Sequence, residues 1–134
     1  MRISIYRKAK SVMALSGTAA RVNGTAAGTT VDRYQAGAAE YRSVMFVVTT
    51  ATITDGSHAV SVQDSDDGST WGTPAAGEVQ GTAPTIAATD SNKVFDVGYS
   101  GAKRYCRIQA VTTGATTGGI FTAAAVLYGT RRDR

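Results

Sequence analysis

One run of the chain, residues 41–50, constrains the fold more than any other. Its sequence, YRSVMFVVTT, is rich in β-branched and aromatic residues and is apolar at both odd and even positions. Side chains of a strand alternate between two faces, so this run is typical of a central strand covered on both faces. The sequence therefore predicts a β protein built around this strand.

Turn signals and alternating residues predict further strands. Asp55-Gly56 and Asp67-Gly68 favour tight turns. Between them, residues 58–63 alternate polar with apolar positions, which predicts a strand that forms a hairpin with the first one. Similar patterns predict strands at 29–34, 93–99, 104–111 and 120–128, whereas the Gly, Ala and Thr content of 16–30 and 72–92 predicts loops.

These patterns together define a fold class. Seven or eight short strands with glycine-rich turns in 134 residues predict an all-β, antiparallel sandwich, of the jelly-roll type. We expect residues 1–134 to form one domain. Within it, residues 1–28 are expected to be an extended arm or loop and residues 130–134 a basic tail. Periodicity leaves the order of the strands open.

The positive charge is concentrated near the two ends of the sequence. Basic segments attract an acidic surface over long distances, although solvation alone is the alternative explanation. Nucleic acid is disfavoured as the partner, because only Tyr6 alternates with the basic residues and helix-turn-helix and zinc patterns are lacking. The net charge is +4, and the clustered basic residues are Arg2, Arg7, Lys8, Lys10, Arg131, Arg132 and Arg134.

The sequence contains no apolar stretch of about 20 residues that would span a bilayer, so we expect no membrane association. Residues 11–17 follow basic residues, as the apolar core of a signal peptide does. That run is too short and too polar for a core of about 7–15 residues. The chain is therefore expected to be made in the cytoplasm without a signal peptide.

Residues that could support catalysis are few. His58 is the only histidine, and its place beside a turn predicts an exposed side chain. Cys106 is the only cysteine, and we expect it to be buried within a strand. Neither a nucleophile elbow nor a phosphate-binding loop occurs in the sequence. We therefore expect no enzymatic activity and no cofactor.

Three aspartates before Gly68 form the one sequence feature that could bind a metal, because alternating oxygen ligands suit Ca²⁺. The pattern departs from an EF-hand, since position 12 of such a loop would fall at Ala75 where a glutamate is required. A solvated turn is therefore favoured over a metal site. The aspartates are Asp64, Asp66 and Asp67.

Trp71, the only tryptophan, follows this turn. It is a candidate anchor for a partner or a surface on which a sugar could stack, and the alternative is a core or rim residue that closes the sandwich. Tyr99 and Tyr105 have the same alternatives.

The turn and strand patterns in the last two thirds of the chain resemble those of small structural proteins of tailed phages and prophages, and among them head decoration or cement proteins. The segments that carry the resemblance are 41–48, 53–58, 62–71, 92–99 and 101–108.

The resemblance implies a jelly-roll-like sandwich on the outer capsid surface of the virion, made in the host cytoplasm. Such a protein bridges subunits of the major capsid protein and is often a dimer or trimer. The alternatives are another virion component, such as a head-tail connector or tail-associated protein, and a carbohydrate-binding module for host attachment. The residues expected to bind the partner are Arg2, Arg7, Lys8, Lys10, Trp71, Arg131 and Arg132.

Overall fold

The computed structural model describes residues 4–34 and 40–130. Within them the predicted all-β sandwich is confirmed, with ten strands instead of seven or eight. A 3-10 turn covers Ala88–Asp90. The other elements are α1 (Ile5–Lys8), β1 (Ala9–Leu15), β2 (Gly24–Ala27), β3 (Val31–Asp32), β4 (Tyr41–Ile53), β5 (Ser57–Ser65), β6 (Val79–Gln80), β7 (Thr85–Ile86), β8 (Val94–Tyr99), β9 (Tyr105–Thr113) and β10 (Gly119–Thr130).

The strands form two antiparallel sheets. Sheet A has the order β1-β10-β4-β8-β6, and sheet B has the order β2-β9-β5-β7, with β3 also paired to β9. If β3, which lies off the main order of sheet B, and β6, at the edge of sheet A, are left out, eight strands remain. Renumbered along the chain, they lie in the orders 1-8-3-6 and 2-7-4-5. This is the arrangement of an eight-stranded jelly roll, so the predicted type of sandwich is the one observed.

The core lies between the two sheets and is filled by every second residue of the long strands. Phe46 and Phe121 of sheet A face Ile108 of sheet B, and all three are fully buried. Cys106 is also fully buried in β9, as its sequence context predicts. The strands β8, β9 and β10 were predictable because their inward residues are apolar at period two, and β4 was predictable because it is apolar on both faces.

The predicted hairpin between the strands at residues 41–50 and 58–63 is wrong. β4 belongs to sheet A and β5 to sheet B, so the turn at Asp55-Gly56 joins the two sheets instead of pairing neighbouring strands. Gly56 has a φ of +90°, which suits glycine in either kind of turn. The local turn chemistry therefore predicts the reversal but not the sheet in which the next strand pairs.

The two predicted loops, residues 16–30 and 72–92, each contain short strands. β2 lies in the first, and β6 and β7 lie in the second. Residues 1–28, expected to be an arm or loop, also include β1, an edge strand of sheet A. Strands of two to four residues have too few positions to show a period, so pairing with a neighbouring strand decides them.

Gly28 ties the two sheets together where the chain crosses between them. Its N–H donates to the carbonyl of Ile108 in sheet B at 2.7 Å, and the N–H of Thr29 donates to the carbonyl of Ala14 in sheet A at 2.8 Å. A Cβ at position 28 would lie within 3.0 Å of both carbonyl oxygens. Only a residue without a side chain allows this close approach.

We expect Gly28→Ala to lower the free energy of unfolding by about 1–3 kcal/mol, because the backbone of both sheets must move to admit the methyl group. The measurement is urea unfolding followed by circular dichroism. Gly72→Ala is the matched control, since nothing lies within 4 Å of a Cβ there and its φ is not positive. Equal stability of the two variants would contradict the role given to Gly28.

Candidate protein-binding surfaces

The outward side of sheet A is apolar. Register and alternation place fifteen described side chains there, and Asp96 is the only charged one among them. We call this surface the apolar face. Its residues are Ala9, Ser11, Met13, Ser43, Met45, Val47, Thr49, Gln80, Val94, Asp96, Gly98, Thr122, Ala124, Val126 and Tyr128.

Most of the exposed large hydrophobic residues lie on or beside the apolar face. In the described part of the chain there are ten such residues, and seven belong to this region. The largest exposed apolar patch of a protein is often functional, so the face is a candidate interface. The seven are Met13, Met45, Val94 and Tyr128 on the face, Ile120 at its end, and Ile5 and Tyr6 in the adjacent α1.

A groove of about 620 Å³ crosses the apolar face. It runs from Ile5 and Tyr128 on one side to Gln80 on the other. Gly98 lies opposite Met45 in the register and lines the groove, and the Gln80 side chain packs over it, 3.2 Å from where a Cβ would lie. The face therefore combines protruding side chains with a recess.

Basic residues from distant parts of the sequence lie at one end of the sandwich. Ala9 pairs with Tyr128, and Tyr41 pairs with Thr130, so the start of β1, the end of β10 and the start of β4 lie side by side. We call this the basic end, and its residues from these elements are Arg7, Lys8, Lys10 and Arg42. Three predicted partner-binding residues, Arg2, Arg131 and Arg132, lie outside the described residues.

Sheet B contributes further charged residues to the basic end. Tyr105, where β9 begins, pairs with Ser65 and with Asp32. Arg104, just before β9, forms a two-pronged ion pair with Asp32 at 2.9 Å through both nitrogens. Lys103 and Arg107 flank this pair in sequence. The predicted partner-binding residues Arg7, Lys8, Lys10 and Trp71 therefore all lie toward one end of the molecule.

A buried carboxylate supports this end from inside. Asp64 has a relative exposure of 1% and accepts a hydrogen bond from the Tyr99 hydroxyl at 3.1 Å. Its other oxygen lies 3.2 Å from the Lys103 ammonium. Burial, and next the hydrogen bond with Asp64, raise the pKa of Tyr99, while the same carboxylate raises the pKa of Lys103. The exposed turn predicted for Asp64 is thus wrong, because it has the inward parity of Val62.

Arg33 completes this support and was missed by sequence reasoning. Its relative exposure is 4%, and its guanidinium donates to the carbonyls of Tyr41, Gly101 and Lys103. Glu40 forms an ion pair with it at 3.7 Å. The buried cation therefore joins the segment before β4 to the loop between β8 and β9. No local pattern distinguishes such an arginine from an exposed one.

The rest of the acidic turn is exposed. Asp67 accepts hydrogen bonds from the N–H groups of Ser69 and Thr70 at 2.8 and 2.7 Å, and chiefly these lower its pKa. Asp66 is exposed. Within residues 4–34 and 40–130, no group of three or more His, Cys, Asp or Glu residues is arranged to hold a metal ion.

Trp71 lies half-buried on the rim of the basic end. The Arg107 guanidinium lies 4.2 Å from the centre of its ring, and the Arg107 Nε donates to Gln63 at 2.8 Å. One ring face of Trp71 is thus covered. Tyr105 is half-buried with Arg104 at 4.9 Å, whereas Tyr99 is buried and has no exposed ring for a sugar.

His58 is fully buried, so its predicted exposure is wrong. It has the same parity as Val60 and Val62, and that alternation could have placed it in the core. Its Nδ1 lies 2.8 Å from the Thr112 hydroxyl. For Cys106, burial raises the pKa of the thiol to about 12. Neither side chain presents a reactive group to solvent.

A scan against models of known protein families finds none that matches the chain, and a search of curated proteins finds no match. None of the helices in the described part of the chain is long and apolar enough to cross a membrane.

We expect Tyr99→Phe to lower the free energy of unfolding by about 1.5–3 kcal/mol, because it removes a hydrogen bond to a buried carboxylate. The measurement is urea unfolding at neutral pH. Tyr128→Phe is the control, because Tyr128 is 45% exposed and its change should stay within about 0.5 kcal/mol. A loss no larger than that of the control would show that the bond to Asp64 contributes nothing.

The raised pKa of Tyr99 also predicts a pH dependence. A tyrosine of the unfolded chain ionises near pH 10, whereas the folded protein keeps Tyr99 neutral there. Its contribution is complete below about pH 10 and is lost as the pH rises further. Urea unfolding between about pH 8 and 11 should therefore show a steeper loss of stability in the wild type than in Tyr99→Phe. Parallel curves would refute this assignment.

Proposed function

We propose that this protein is a non-enzymatic structural protein of a phage virion that binds the outer capsid surface and stabilises the head. In this role it bridges subunits of the major capsid protein and is made in the host cytoplasm. The observation that carries the proposal is the separation of two contact surfaces on one jelly roll, a basic end and an apolar face. A protein that bridges others needs more than one such surface.

The basic end is the proposed contact with the capsid. Arg7, Lys8 and Lys10 are brought beside the end of β10, after which Arg131 and Arg132 follow in sequence. Their charge attracts an acidic surface over distances of about a Debye length, about 8–10 Å at physiological salt. Trp71, held against Arg107, adds the aromatic and arginine chemistry that is common at binding hot spots.

Internal hydrogen bonds hold the segments of the basic end together. Arg33 and Asp64 connect the segments around it, so the exposed charges are presented on a supported scaffold. A modest affinity at each contact is sufficient, because a protein that touches several symmetry-related subunits binds through all of them together. The expected consequence is resistance of the head to heat and to expansion.

We expect the purified protein to bind undecorated, expanded heads of its own phage in hundreds of copies per head and to raise their resistance to heat. Quantitative gel analysis of sedimented heads gives the copy number, and light scattering during heating gives the stability. Binding of about a dozen copies or fewer, as a ring-shaped connector requires, would favour another virion component. Absence of binding would reject the capsid role and favour the glycan alternative.

Two charge variants make this experiment specific to the basic end. Lys10→Gln should lower the apparent affinity about two- to fivefold at low salt, the size of an exposed ion pair, and less at high salt. Lys93→Gln is the matched control, because Lys93 lies at the opposite end, paired with Asp90 at 3.0 Å. An equal loss in both variants would show that net charge, and not the basic end, governs binding.

A further inference from the structure

We propose that two copies of this chain associate face to face through the apolar face of sheet A, as a homodimer. The proposal concerns a different surface from the capsid contact. It also stands without the proposed function, since it follows from sheet A alone.

The strand β4 has apolar residues on both of its faces. Inward residues such as Phe46 and Val48 fill the core, and outward residues Met45 and Val47 continue the apolar run on the other side. A strand of this composition is typical of a sheet covered on both faces. Within the described residues only α1 lies against the outward side, near Tyr128, and Met45 is 42% exposed. The pattern is therefore satisfied only when another surface packs on it.

The charge distribution favours a second copy as the partner. The protein carries a net charge of +4, so most approaches between two copies bring like charges together. The apolar face carries no basic residue among its fifteen, and its single acid, Asp96, lies on β8 beside the edge strand β6. Two copies can therefore meet there without repulsion, whereas an acidic partner is attracted to the basic end.

The shape of the apolar face also suits contact with a second copy. A twofold contact requires a surface that complements itself, because each patch meets an identical one. The apolar face has both parts of such a contact, because Met13 and Tyr128 are exposed and a groove lined by Met45 and Val126 crosses the face. Sheets pack face to face at about 10 Å when side chains of this size interdigitate.

The area of the apolar face is sufficient for a weak dimer. Five strands spaced about 4.8 Å apart, with about seven residues along each central strand, give a patch of roughly 20 by 20 Å between Cα atoms, or about 500 Å² with side chains. Two copies would bury about 1,000 Å² together, which is the lower limit of specific interfaces. The dimer is therefore expected to be reversible and to depend on protein concentration.

The test is analytical ultracentrifugation of the complete chain over a wide range of concentrations, with no phage heads present. We expect a monomer–dimer equilibrium whose dissociation constant rises at least about tenfold in Met45→Lys, because the variant places a charge in the contact. Val111→Lys is the matched control. Val111 is 38% exposed on the outward side of sheet B, so its substitution should leave the equilibrium unchanged.

Three outcomes would overturn the proposal. They are a wild-type protein that stays monomeric throughout, an assembly of another stoichiometry, and a dimer that Met45→Lys does not weaken. Circular dichroism and thermal unfolding show whether each variant is folded. If Met45→Lys is not, Met13→Lys replaces it, since Met13 is 60% exposed at the margin of the face.

The salt dependence of the association is an independent test of the proposed interface. An apolar contact should persist or strengthen as salt is raised, whereas association through the basic end should weaken. A dimer that dissociates in high salt would therefore also reject the apolar face. Failure of head binding with an intact dimer would reject only the capsid role, and the reverse result would reject only the dimer.

Discussion

The pairing of β10 with β4 on one side and β1 on the other is the interaction on which the rest of the structure depends. It brings residues more than a hundred positions apart, such as Ala9 and Tyr128, into one sheet. Backbone hydrogen bonds supply the register, and burial of Phe46, Phe121 and Leu127 against sheet B stabilises it. The basic end and the apolar face are both consequences of this pairing.

The same pairing separates charge from apolar area. Because β1 is antiparallel to β10, the basic residues before and within β1 lie where β10 ends, and because strand residues alternate, the remaining apolar residues of β4 and β10 point outward together. A capsid contact driven by charge and a self-contact driven by apolar burial can therefore coexist on one small domain. The two contacts also respond oppositely to salt, which makes them separable.

The buried polar groups have a different role from the surfaces. Asp64, Tyr99 and Arg33 satisfy one another or backbone carbonyls near the basic end, while His58 and Thr112 do so toward the opposite end. A buried polar group costs free energy unless it is paired, so these groups restrict how the loops at each end can be arranged. The sequence does not show which partners these groups bind, because Tyr99, Thr112 and the carbonyls that Arg33 contacts are distant in the chain.

The sequence by itself determined the class of fold and its long strands, because residues such as Val97, Tyr99, Cys106 and Ile108 recur at the period of a half-buried strand. It also determined that the chain is basic near both ends. Only the tertiary structure decided that β5 pairs in the other sheet from β4, that short strands such as β2 and β7 form, and which partners the buried Asp64 and His58 bind. The physical reason is that periodicity and turn chemistry are local, whereas the choice of a pairing partner depends on which distant strands bury the most apolar area together.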